Sequence, residues 1–133
     1  KFASERKKNF ENLYKFFSTY EKFFVLPEKD PRADVVWLAF PLTLKKDIPF
    51  TRKDITEYLE KHDIQTRPIF TGNILKQPGF QNIKCRTVKN GYPVTDHIMR
   101  NGFLIGCHHG LKKDEMIHLK KTISDFLNQF IQN

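Results

Sequence analysis

Two places in this sequence carry residues suited to chemistry. One is the adjacent pair His108-His109 beside Cys107, and the other is the run 66–80 (TRPIFTGNILKQPGF), which gathers arginine, asparagine, lysine and glutamine among glycines and prolines. Imidazole is the commonest acid–base group and metal ligand near neutral pH. Neighbours on a strand point to opposite faces, however, so two adjacent histidines do not easily grip one ion. A metal site needs further ligands, and neither Cys107 nor His97 stands at a recognised ligand spacing, so no metal is expected. Adjacency alone does not make Cys107 with His108 a nucleophile–base pair. The chain also lacks a G-x-S-x-G elbow, a phosphate-binding loop and a G-x-G-x-x-G turn, so no catalytic residue is expected within it. Gly102, Gly106 and Gly110 recur every four residues, but on a strand and loop that spacing has no helix-packing meaning. The histidines lie between a strand and the last helix, where they either satisfy backbone groups or face a cleft.

Apolar spacing defines the elements that position these residues. Phe10, Leu13, Tyr14, Phe17, Tyr20 and Phe24 recur at three- and four-residue steps, which predicts a helix over 3–24 with its lysines opposite. That is about six turns at roughly 3.6 residues per turn. Ser4 would cap it and Pro27 end it, making 1–26 a connecting helix. Turn residues fill 28–34. A strand follows over 35–44, with Pro41 at a bulge or edge because proline cannot donate to a ladder. Thr51 caps a helix over 52–61 that turns Ile55, Tyr58 and Leu59 inward. A short strand over 64–70 leads into a helical turn and loop over 71–80, and 81–92, with Asn90-Gly91, is a loop or hairpin tip. Pro93 opens a brief helix to Met99, 103–107 is a strand, and 113–131 is an amphipathic helix with Met116, Leu119, Ile123, Phe126, Leu127 and Phe130 inward. This order predicts an α+β fold, a small three- to four-stranded, mainly antiparallel sheet covered by helices.

Composition bounds the partners. With 133 residues, 39% of them hydrophobic, the chain suits a single domain over 1–133. Its longest apolar run, 35–42, is far short of the ~20 residues a membrane-spanning helix needs, so no membrane partner is expected. Two cysteines cannot build a disulfide framework, which points to a reducing, cytoplasmic setting. The first residue is Lys1 and no signal peptide follows, so the chain reads as a fragment. A net charge of +8 invites a polyanion, yet the basic residues are scattered pairs such as Lys45-Lys46 and Lys112-Lys113, next to Asp47 and Asp114. The 13 phenylalanines lie in no RNA-binding motif, and most of the rings are expected in the core. A basic nucleic-acid- or polyanion-binding module is the second hypothesis.

The run 66–80 resembles the TRPxFxGNxxxQPxF stretch of the DegT/StrS family, sugar-nucleotide enzymes of the fold-type-I pyridoxal-phosphate class. Thr95-Asp96-His97-Ile98-Met99 is similar to that family's TDxIM, and 103–111 to its FxxGxxxGL close. Trp37-Leu38-Ala39-Phe40-Pro41-Leu42 and the helix around Tyr58-Leu59 keep the same order, so the resemblance covers about residues 35 to 131. Gly72-Asn73 followed by Gln77-Pro78 most resembles the members that act as 4-keto-6-deoxyhexose 3-dehydratases of lipopolysaccharide biosynthesis. His108-His109 stands where those often show Tyr-Pro.

The resemblance implies the small C-terminal domain of a larger enzyme. A large domain, absent here, would hold pyridoxal or pyridoxamine phosphate (PLP/PMP) through an aspartate, phosphate-binding hydroxyls and an active-site lysine or histidine. The intact protein would be a homodimer that dehydrates or aminates a nucleotide-linked 4-keto-6-deoxy sugar, the pyridine ring serving as electron sink while a base moves the proton. This chain alone would not turn over substrate, and nucleic acid would not be a partner. Within it, Arg67 and Asn73 are expected to face the cleft: the guanidinium fork suits phosphate or carboxylate, and the amide suits sugar hydroxyls. Gln77 and His108 are further substrate-binding candidates, and Lys76 is expected in solvent. The competing roles are a surface ion pair for Arg67 and a turn-stabilising amide for Asn73.

Overall fold

Alternation of large and small side chains sets the centre of the fold. The computed structural model describes residues 1–131 and runs α1 (Phe2–Ser18), β1 (Phe24–Val25), β2 (Ala39–Leu44), α2 (Arg52–Lys61), β3 (Thr66–Pro68), α3 (Pro93–Asn101), β4 (Gly102–Gly106) and α4 (Lys113–Asn128). Two 3-10 turns, Ile74–Lys76 and Pro78–Phe80, lie between β3 and α3. The strands form one antiparallel sheet in the order β1-β2-β4-β3, with Phe40 opposite Ile105, Leu42 opposite Phe103 and Arg67 opposite Leu104. This is the expected α+β architecture.

One face of the sheet makes the core. Phe40, Leu42, Leu44, Phe103 and Ile105 are buried, and the rings of Phe10 and Phe17 from α1 pack on Phe40 at 5.1 and 5.3 Å. Ile55 and Leu59 of α2 and Leu119, Ile123 and Phe126 of α4 complete it. Each such side chain contributes roughly 1.5–3 kcal/mol on burial, so α1 is held by packing; its N-cap, Lys1, makes no side-chain cap bond. Eight of the 13 phenylalanines are buried, as expected for a core rather than a nucleic-acid platform. On the opposite face Ala39, Pro41, Thr43 and Leu104 are half-buried and Arg67 is exposed.

Several boundaries differ from expectation, each for a local reason. Helix α1 ends at Ser18 rather than Phe24, and Ser4 does not cap it: its hydroxyl donates to the Lys1 carbonyl within the first turn. Residues 19–23 form turns, with the Tyr20 N–H on Phe17 O and the Phe23 N–H on Tyr20 O, both at 2.9 Å. Phe24 then pairs with Leu44 and packs edge-on against Phe17 at 5.4 Å. Residues 1–26 are therefore not one connecting helix; they supply both core helix and edge strand. Strand β2 starts at Ala39, not Val35, because its partner β4 ends opposite it at Gly106, and Leu38 before it is 77% exposed. Pro41 has a neighbouring strand on one side only, since β1 reaches just Thr43 and Leu44, which is the edge position expected of proline. Strand β3 is shorter than 64–70 because the Ile64 N–H is still bonded to Leu59 O in the turn that closes α2.

The other elements stand as read, with shifted ends. Thr51 caps α2 in a reciprocal box: its hydroxyl accepts from the Asp54 N–H at 3.3 Å, and its own N–H donates to Asp54 Oδ2 at 2.7 Å. Residues 81–92 form a loop without a hairpin, and α3 runs past Met99 to Asn101. Helix α4 stops at Asn128, short of Ile131, and Phe130 beyond it stays packed on the core. Between α3 and β4 only glycine fits, because a Cβ on Gly102 would lie 2.6 Å from Ile98 O and 2.7 Å from Ile69 Cδ1. Among the described residues no helix is long and apolar enough to cross a membrane.

Candidate functional site

The pairing of β3 with β4 sets Arg67 on the open face of the sheet, beside Leu104. A groove of about 600 Å³ opens where β3 begins, β4 ends and α4 starts, and Arg67, Leu104, His108, Asp114, Glu115 and His118 line it. The guanidinium is exposed and takes part in none of the described ion pairs, so its fork of donors is free for an anionic or carboxylate group. Glu60 anchors the start of β3 to α2 by accepting the Thr66 N–H at 2.5 Å and the Thr66 hydroxyl at 2.8 Å. Those two bonds, backbone first, hold the Glu60 carboxyl below its usual range, and the charge of Arg67 adds to them.

His108 and His109 lie beyond the strand end rather than on it, so the alternating-face argument does not govern them. The Nδ1 atom of His108 accepts the Gly110 N–H at 3.2 Å, Asn9 donates to the His108 carbonyl at 2.8 Å, and the residue lines the groove. His109 packs against the Phe2 ring at 4.2 Å. His118 donates through Nε2 to the His62 carbonyl at 2.8 Å. Among the described residues no three His, Cys, Asp or Glu side chains gather as a metal site.

Asn73 does not join Arg67 in the groove. It is buried at 6% exposure, its Oδ1 accepts the Leu75 N–H at 3.1 Å, and its Nδ2 donates to Asp96 Oδ1 at 2.7 Å. The turn-stabilising role is thus the one its contacts display. Gln77 is likewise engaged, donating to the Thr71 carbonyl at 2.7 Å. Lys76 is not simply solvated: its Nζ meets Asp96 Oδ2 at 2.7 Å. Asp96 therefore receives both Lys76 and Asn73, and these bonds, in that order, lower its carboxyl pKa. Asp96 and Met99 are the residues that sequence reasoning passed over. The TDxIM match contains both, but nothing in local spacing says that this helix meets the 69–80 loop.

The groove does not by itself fit a pyridoxal phosphate. Its lining includes no lysine amine and no serine or threonine hydroxyl, so it offers Arg67 as a single cation and no covalent anchor.

The chain is thus an antiparallel α+β layer with α1, α2 and α4 packed on one face and Arg67 on the other. Residues 1–124 match the DegT/DnrJ/EryC1/StrS aminotransferase family. The chain belongs to that family. It is 36% identical over 125 residues to the lipopolysaccharide biosynthesis protein RfbH of Salmonella typhimurium, covering 94% of this chain and 28% of that protein. It is 29% identical over 123 residues to the GDP-4-keto-6-deoxy-D-mannose 3-dehydratase of Escherichia coli O55:H7, covering 92% of this chain and 31% of the relative. The solved structure of E. coli GDP-4-keto-6-deoxy-D-mannose-3-dehydratase with bound hydrated PLP superposes with a TM-score of 0.80 at 28% identity, over 90% of this chain and 30% of that one. The chain thus spans somewhat under a third of the length of these relatives.

Proposed function

We propose that this chain is the C-terminal, substrate-facing part of a PLP/PMP-dependent enzyme that removes the 3-hydroxyl from a nucleotide-linked 4-keto-6-deoxy sugar in deoxysugar or lipopolysaccharide synthesis. The observation that carries this reading is the likeness in both sequence and fold to a solved 3-dehydratase over nine-tenths of the chain. Aminotransferase structures share the fold at much lower identity, for example 13% for the enzyme from Psychrobacter cryohalolentis, so dehydration is favoured over amination. The cofactor is held by the part of the protein that the relatives possess beyond this match, because the groove lacks an anchor for it.

The contribution of this chain is to bind and orient. Arg67 supplies a permanent positive fork to a phosphate or carboxylate, His108 lines the same groove, and the apolar wall at Leu104 limits water there. Asn73 and Gln77 act by shaping the loop that follows Arg67. The intact protein is a homodimer joined to its large domain within one chain, and works in the cytoplasm, a setting that suits two unpaired cysteines.

The test uses the full-length protein supplied with pyridoxal phosphate and glutamate, offered GDP-, CDP- and dTDP-linked 4-keto-6-deoxy sugars, with products read by NMR. A product lacking the 3-hydroxyl supports the proposal. A product that keeps it and gains an amine makes the enzyme an aminotransferase, and absence of turnover on every nucleotide overturns the reading.

A further inference from the structure

The two motifs that carry the family resemblance are far apart in sequence and meet in space. Gly72 and Asn73 from the first touch Met99 and Asp96 from the second: Asn73 Nδ2 donates to Asp96 Oδ1 at 2.7 Å, and the Asn73 N–H points at Met99 Sδ at 3.4 Å. Gly72, at φ +64, lies so close to Met99 that a Cβ there would stand 2.4 Å from Met99 Cγ. Lys76 closes the other carboxylate oxygen, and Gln77 ties back to Thr71. Four of these contacts therefore fasten a seven-residue loop to α3, and the fifth closes the loop on itself.

What the fastening holds is costly on its own. Phe70 sits at φ 46, in the left-handed region that a bulky side chain avoids, and it is 85% exposed. Backbone strain opposes folding and persists only where the surroundings impose it, and the exposed ring gains nothing from burial to offset it. A loop locked at one end and strained where it leaves β3 is organised before anything binds to it. Organising a binding loop in advance raises affinity by removing the ordering cost at the moment of binding.

We propose that Asp96 is a positioning residue: through Asn73 and Lys76 it fixes the 69–77 loop, with the Phe70 ring outward, in the shape that receives the nucleotide-sugar. The inference rests on the function proposed above and adds the part played by the TDxIM and GN motifs. Asp96 need not touch substrate. Phe70 is the group presented, three residues beyond Arg67 on the same strand exit.

The experiment is done on the full-length enzyme with whichever sugar nucleotide it turns over. Asp96→Ala raises KM roughly tenfold and leaves kcat within about twofold, because the loop is loosened and the reacting atoms are untouched. Asp96→Asn, which keeps an acceptor for Asn73, recovers most of the loss. Phe70→Gly removes the ring and relieves the strained angle, so KM rises in the same way with no fall in melting temperature; this variant decides the matter if Asp96→Ala does not fold. Hydrogen exchange at residues 72–77 speeds up in Asp96→Ala. If exchange speeds up while KM stays within twofold, or if Phe70→Gly leaves KM unchanged, Asp96 is structural only and the inference is wrong, although the enzyme assignment stands. If the unmutated enzyme turns over none of the sugars, both fall together.

Discussion

Arg67 and Asn73 stand six residues apart and do different things. Arg67 keeps its donors in the open, while Asn73 spends its amide on Leu75 and Asp96. The cysteines show a similar split. Cys107 is fully buried, and burial pushes its thiol up to about 11 against the opposing charge of Arg6, whereas Cys85 is exposed. Only the thiolate reacts, so at about pH 8 a native sample should titrate one fast thiol with a disulfide reagent and two after denaturation; two fast thiols in the folded protein would contradict the burial. Arginine's chemistry belongs to the side chain wherever it sits, so Arg67 was legible from the sequence as a candidate. The fate of Asn73 was not, because its partner Asp96 lies 23 residues away on another element and no periodicity links a loop to the first turn of a helix.

At the scale of elements, whatever depends on neighbours in sequence was legible. The cap at Thr51 and the inward stripe of Ile55 and Leu59 are local, and α2 has the expected bounds. Strand β1 was not legible: it is two residues long and exists because Leu44 and Thr43 lie beside it, twenty residues on. The overlong reading of α1 has the same origin, since Tyr20 and Phe24 continue a helical spacing that sheet pairing overrides. The α2 cap also makes a pH prediction. Backbone and hydroxyl bonds from Thr51 hold the Asp54 carboxyl below the usual 3.8, so the folded state binds fewer protons there than the unfolded one. Its stabilisation is present above that ordinary value and is lost as pH falls through the lower folded one, and Asp96 and Glu60 act in the same direction. Urea midpoints should therefore be flat above about pH 5 and fall below about pH 4, and Asp54→Asn should reduce the fall; an unchanged acid slope in that variant would remove the cap from the account.

Across the whole molecule, stability is concentrated on one side of the sheet. Phe40 touches the rings of Phe10 and Phe17 and is fully buried near the start of β2. Phe40→Ala should cost roughly 3–5 kcal/mol, a large part of the ~5–15 kcal/mol typical of a domain, and lower the melting temperature accordingly; a loss under about 1 kcal/mol would mean that the helices do not converge there. The other side, with Arg67 and Leu104, is the more open one. The two borders of the sheet add a consequence of their own. Strand β1 has two residues, and β3 has three, the last of them Pro68. Neither margin offers a long row of free amide groups, and the proline withholds a donor where an incoming strand would seek one. Copies of this chain therefore have little to grow from edge to edge, a safeguard against amyloid-like stacking while a broad face stays exposed.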